Sequence, residues 1–185
     1  MSDRHVYGGV FHPMFEYVRE RHGVEGVDKL FRKAMERGYT SPIQQKEYKI
    51  GKKYPFDDHL IFLKSYIELY GEADFDRMTR ATANKKGIVG FFIKWKGTPE
   101  LLIKKAGEYW PNFHDFGKLE GIIENDNTGY VRGYDISLDP IFCRSLTQYF
   151  TGIMENLKLE EFMITKTKCV HKGDNNCEWE IHWKW

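Results

Sequence analysis

The sequence predicts an α+β domain, a helical N-terminal half packed on an antiparallel sheet that carries one inserted helix. Three observations predict it. Apolar residues in the first half recur at three- and four-residue spacing, and from Lys118 onward the period shortens to two around turn-forming Asn, Asp and Gly. The last strand alternates cleanly, with Cys177, Trp179, Ile181 and Trp183 on one face and Glu178, Glu180 and His182 on the other. At 185 residues the chain suits a single domain over 1–185, with a helical subregion at 1–86 and a sheet region at 87–185.

The elements follow in order. Phe11, Phe15, Val18 and His22 line one helical face, and Gly23 closes it. Val27, Leu30, Phe31, Ala34 and Met35 form the stripe of a second helix that stops at Gly38, so the two are expected as an antiparallel pair. Residues 39–55, rich in Pro, Gly and polar side chains, read as a connecting loop. Asp57 or Asp58 can cap a helix carrying Leu60, Leu63, Ile67 and Tyr70 inward. Gly71 interrupts that helix, and Phe75, Met78 and Ala81 continue the pattern to about Asn84. The run 88–93 is apolar on both faces and fits either a buried strand or a buried helix. Thr98 followed by Pro99 and Glu100 starts a helix, because proline loses nothing at the first helical position. That helix is expected to bury Leu101, Leu102 and Ala106 and to end near Gly107. Residues 118–124 and 130–134 read as two strands around a turn. Pro140 then opens a helix through Ile141, Leu146, Phe150, Ile153, Met154 and Leu157, and strands at 161–169 and 177–183 flank a turn at 172–176.

Lys and Arg number 28 against 27 Asp and Glu, a formal charge of +1, which argues against nucleic acid as the partner. Aromatic residues make up 16% of the chain, which excludes disorder and invites an apolar pocket. No stretch of 18 apolar residues and no signal-peptide core is present, so neither a membrane span nor export is expected, and a cytoplasmic protein is. Catalytic and phosphate-cradling motifs are absent. The acidic pairs Asp57-Asp58, Glu124/Asp126 and Glu160-Glu161 fall at helix starts and turns, where caps and solvated faces explain them.

Three cysteines, Cys143, Cys169 and Cys177, lie in the last quarter of the chain, and an odd number so placed is no secreted disulfide framework. Cys169 and Cys177 flank the last turn, and Cys143 sits in the first turn of the preceding helix, where exposed amides favour a thiolate. Three readings fit: small buried hydrophobes, a soft-metal site of the kind zinc prefers, or a redox pair of Cys169 with Cys177.

The stretch from Cys169 to Ile181, with Lys172-Gly173-Asp174 between the two cysteines and an acidic and aromatic alternation after the second, resembles the closing signature of the 4-vinyl reductase domain, also called the hydrocarbon-binding domain. The likeness covers roughly residues 87–185 well and the helical half in outline. Aromatic-sensing transcriptional activators with this domain carry a cysteine at the interval that separates Cys143 from Cys169, and there three cysteines and a glutamate bind zinc. The resemblance therefore implies a zinc site of Cys143, Cys169 and Cys177. The family's glutamate falls where this chain has Lys166, which leaves the fourth position to water, to a displaced group such as His171 or Glu178, or to nothing.

The fold implied is also that of haem-nitric-oxide/oxygen-binding domains, whose opening resembles Tyr7-Gly8-Gly9-Val10 ahead of an amphipathic helix. Those sensors hold iron with a histidine on the helix before the first sheet strand, a position that falls here near Lys104 or Lys105. They bind propionates with a Tyr-x-Ser-x-Arg motif before the next helix, where this chain has Asp135, Ser137 and Asp139. Both features are missing, and His114 is left as the nearby candidate for atypical ligation. Trp110, Phe113, His114, Phe116 and Tyr130 form an aromatic cluster at the entry to the sheet, the expected place for a pocket. His12 is read as a helix-terminus residue, and His59, His171 and His182 as solvated.

The resemblance and the residues together imply a sensory or carrier domain for an apolar or aromatic small molecule, as a homodimer, with a structural zinc site and a signalling partner protein downstream. A haem-based gas sensor is the first alternative, and an enzyme acting on a tetrapyrrole or aromatic vinyl group the second. A scaffold like the vesicle-tethering relatives of this fold is a further one.

Overall fold

Gly23 sets the shape of the helical half. The computed structural model describes residues 3–39, 48–83, 97–136 and 139–185, and in it helix α1 (Phe11–Glu36) is broken at Gly23, with φ 72° and ψ −176°. Only glycine takes that conformation at little cost. The break folds the helix back on itself, so that the rings of Phe15 and Phe31 lie 5.1 Å apart, where a straight helix would separate them by about 24 Å. The expected antiparallel pair is the observed one. Met35 departs from its expected stripe and is exposed, while Val27, Leu30, Phe31 and Ala34 are buried.

The segment read as loop holds a short strand, β2 (Lys53–Pro55), which pairs antiparallel with β1 (His5–Tyr7). Helix α2 (Phe56–Tyr70) begins at Phe56 with Pro55 as its N-cap, so Asp57 and Asp58 lie in its first turn and do not cap it. Its inward stripe is rotated from the expected one, with His59, Phe62, Leu63 and Tyr66 buried and Leu60, Ile67 and Tyr70 half-buried. Gly71 ends it and α3 (Glu72–Thr82) follows, burying Phe75 and Met78. The apolar run 88–93 lies outside the described residues. Thr98 caps α4 (Pro99–Tyr109) by accepting from the Leu101 amide at 3.3 Å, as its sequence requires. Pro99, Leu102 and Ile103 are the buried residues there, whereas Ala106 is half-buried and Leu101 exposed.

The sheet is four-stranded and antiparallel, in the order β3 (Lys118–Asn125), β4 (Thr128–Tyr134), β6 (Cys177–Lys184), β5 (Glu161–Lys168). Helix α5 (Pro140–Glu155) enters between β4 and β5, capped by Asp139, and buries Phe142, Cys143, Leu146, Phe150 and Met154. Cys177, Trp179, Ile181 and Trp183 all point into the core, as the alternation requires. Glu178, on the opposite face, is also buried. It is held by Arg132, by Lys168 at 3.1 Å and by Thr167 at 3.0 Å. Helix α4 packs directly on β3 because Gly121 has no side chain: a Cβ there would come within 1.7 Å of the Ile103 carbonyl oxygen. No described helix is long and apolar enough to cross a membrane.

Candidate functional site

A cavity of about 410 Å³ opens between the helices and the inner face of the sheet, a size usual for small-molecule sites. Its walls come from the start of α1 (Pro13, Met14), from α2 and α3 (Leu63, Met78), from α4 (Leu102, Ile103, Ala106), from the sheet (Leu119, Val131, Ile181) and from α5 (Phe142, Leu146, Phe150). No Arg, Lys, Asp or Glu is among the described residues that line it.

Three histidines line this cavity, His12 at its exposed rim and His59 and His114 buried in its wall. His114 follows the short 3-10 turn Trp110–Asn112, and β1 pins its backbone. The Tyr7 amide donates to the Phe113 carbonyl at 2.9 Å, the Asp115 amide donates to the His5 carbonyl at 3.2 Å, and Val6 bridges to His114. The His114 ring stacks on Trp110 at 3.8 Å and 13°, while the Trp110 indole N–H donates to the Phe116 carbonyl at 2.7 Å. Both nitrogens of the His114 ring are buried, with at most a poorly aligned approach to the Trp110 backbone, and neither they nor Nδ1 of His59 make a well-formed hydrogen bond among the described residues. Burial pushes the His59 imidazole down to about 4. Burial, with His59 nearby, also pushes the His114 imidazole well below its ordinary value. Both rings are therefore neutral at physiological pH. Buried polar groups left so poorly paired are costly, and a ligand in the cavity that offers them a partner would relieve that cost.

The aromatic cluster expected at the sheet entry is brought together in part. Trp110, Phe113 and His114 line the cavity. Phe116 backs Trp110 and Phe56 from behind, with ring centroids at 6.2 and 4.8 Å. Tyr130 is not in the cluster. Val131 faces the cavity, so the strand period turns Tyr130 to the other face, where its hydroxyl donates to Glu124 and Glu180 at 3.2 Å each. His59, expected in solvent, is a wall of the cavity. The sequence did carry the signal, since Phe56, His59, Phe62 and Tyr66 recur at three- and four-residue steps. His12 lies in the first turn of α1 as expected and reaches the Tyr48 carbonyl through Nε2.

A second cluster sits where the start of α5 meets the β5–β6 hairpin. Cys143, Cys169 and Cys177 bring their sulfurs within 4.8 Å of one another, with Cys143 Sγ and Cys177 Sγ 3.9 Å apart. None of the three is in a disulfide, and the sulfur of Cys169 is buried although the residue as a whole is half-exposed. The hairpin that carries two of them is set by Gly173 at φ 96° and by the Asp174 carboxylate, which accepts from the Cys169 amide at 2.7 Å. No fourth His, Cys, Asp or Glu joins the group among the described residues. Glu178 is turned to the opposite face, and His171 is exposed.

No family model and no curated protein matches the chain. Solved structures do match it. An H-NOX protein from S. oneidensis, in the Fe(II)NO ligation state, aligns over 97% of this chain and 99% of its own, with 14% identity and a TM-score of 0.71. The fold is that of the H-NOX proteins. The H-NOX domain from Shewanella oneidensis in the Fe(II)CO state gives a TM-score of 0.73 over 96% of this chain and 98% of its own, at 14% identity. The unliganded Fe(II) H-NOX protein from K. algicida gives 0.63 over 97% of each chain, at 13% identity. These matches support the H-NOX half of the resemblance and do not single out the 4-vinyl reductase family.

Set against an H-NOX fold, the cavity fits a haem at one point and departs from it at another. The neutral imidazoles of His59 and His114 suit a haem iron, which proteins commonly hold through histidine. Helix α4 turns Leu102 and Ala106 to the cavity and no histidine, and no described cation lines it to meet a carboxylate.

Proposed function

We propose that the chain is a sensor domain that takes a flat, largely apolar ligand into the cavity between helices and sheet, and that haem held through His59 or His114 is the ligand this cavity suits best. The poorly paired buried nitrogens, both of His114 and Nδ1 of His59, carry this reading. An occupant without a metal or polar centre would leave both His114 nitrogens as unsatisfied as before. When bound, haem would supply an iron to which a diatomic gas can add. The chain's own residues do the rest. Trp110 and the ties to β1 fix the plane of His114, Leu119, Val131 and Ile181 keep water from the sheet side, and Phe142 packs against both histidines at 6.1 and 5.7 Å.

A second reading, an aromatic or hydrocarbon ligand without metal, is favoured by the uncharged lining of the cavity. In either case we take the three thiols as a zinc site that braces the β5–β6 hairpin, and a partner protein or a second copy of the chain as the receiver of the signal.

Titration of the purified chain with haem, with the same porphyrin lacking iron, and with a fluorescent polycyclic aromatic tests the choice. Stoichiometric haem uptake with a sharp Soret band, at least about tenfold tighter than the iron-free ring, supports haem. Equal affinity with and without iron supports the second reading. Failure to bind any of the three refutes both.

A further inference from the structure

A group beside the sulfur cluster, the Lys166 ammonium, is one that cannot ligate a metal. Lys166 stands opposite Trp179 in the β5–β6 ladder, and its Nζ lies 3.2 Å from Cys169 Sγ and 5.1 Å from the centre of the Trp179 ring. An ammonium has three N–H donors and no lone pair, so it binds thiolates and not metals. A closed structural zinc site has four protein donors, and three are present among the described residues.

Charge points the same way. Three thiolates around a divalent ion carry one net negative charge. Cys143 and Cys177 are buried, where an uncompensated charge is costly. The ammonium of Lys166 brings the group to neutrality, whereas a carboxylate in its place would leave two negative charges.

Resting on the zinc reading above, we propose that Cys143, Cys169 and Cys177 form an open three-thiolate zinc site. Its fourth position takes an exchangeable neutral donor from solution, water or a small nitrogen base such as an imidazole. Lys166 is a positioning residue that supplies the balancing charge through the thiolates. The site differs from a purely structural clamp in that no His, Cys, Asp or Glu among the described residues fills the fourth position, so the donor there comes from outside the cluster.

Cobalt(II) accepts the same donors as zinc and reports its coordination through visible d–d bands. The full chain, reduced and stripped of metal, is loaded with cobalt and titrated with imidazole. The wild type should show a saturable shift of the bands. Lys166→Glu offers a fourth protein donor, so its bands should ignore imidazole. Lys166→Arg keeps the charge and should keep the imidazole response. Far-ultraviolet circular dichroism establishes that both variants fold. Cobalt uptake with wild-type bands that ignore imidazole would overturn the open site and leave the zinc reading standing. Absence of uptake by the reduced wild type would overturn both.

Discussion

Replacing His59 with phenylalanine should remove a large part of the acid sensitivity of this fold. The imidazole sits among the rings of Phe11, Phe56 and Phe142, with centroids 5.5, 6.1 and 6.1 Å away, and its Nδ1 has no partner. Burial lowers it from 6.5 to about 4. Between those two values the unfolded chain binds a proton that the folded chain does not. The stability tied to this group is therefore whole above 6.5 and is lost as the pH falls toward 4. Two and a half units at about 1.36 kcal/mol each amount to about 3 kcal/mol. Urea unfolding followed by tryptophan fluorescence, above and at the bottom of that window, measures it. The wild type should lose about 3 kcal/mol more than His59→Phe over this range. Near neutrality the variant should match or exceed the wild type, because an orphaned polar atom has been replaced by a packing ring. An unchanged pH slope in the variant, or a large loss at neutral pH, would refute the reasoning.

Other expectations follow from the same contacts. Gly121→Ala should cost about 1–3 kcal/mol in urea unfolding, because its Cβ would meet the Ile103 carbonyl and push α4 off the sheet. For Glu178, burial pushes the carboxyl up, but Arg132, Lys168 and Thr167 together outweigh it and hold it below its ordinary range. Its contribution should be present above the unfolded carboxyl's pKa and vanish as the pH falls through the folded one, and Glu178→Gln should flatten that part of an acid-unfolding profile. Leu146→Trp should fill the cavity beside Phe142 and block ligand uptake, while the melting temperature stays at or above that of the wild type. Cys143→Ser should abolish bound zinc in elemental analysis of protein purified without chelator, and unchanged stoichiometry would remove Cys143 from the site.

Much of the architecture was legible because local chemistry and burial agree. The Thr98-Pro99 start, the glycine breaks at 23 and 71 and the inward alternation from Cys177 to Trp183 each state one structural choice in a few residues, and the fold keeps all of them. The three-residue strands β1 and β2 were not legible, since His5–Tyr7 and Lys53–Pro55 are too short to show a period and are defined by long-range pairing, with each other and, for β1, with residues 113–115. Tyr130 was grouped with its sequence neighbours, although a one-residue step along a strand reverses the face. The cysteine cluster was legible from spacing because a helix start and a hairpin mouth bring their sulfurs together wherever the sheet order is β4-β6-β5. His59 was misread because a polar residue type outweighed its position on an apolar stripe.

Under the haem reading, His59 or His114 holds the iron. The absorption spectrum of haem-loaded protein, compared between the wild type and the His59→Phe, His114→Phe double variant, tests it most directly. The account predicts a sharp Soret band at one haem per chain in the wild type, and a broadened, shifted band with weakened retention in a double variant that still folds. A wild type that takes no haem, or a double variant whose spectrum and affinity equal those of the wild type, would contradict it.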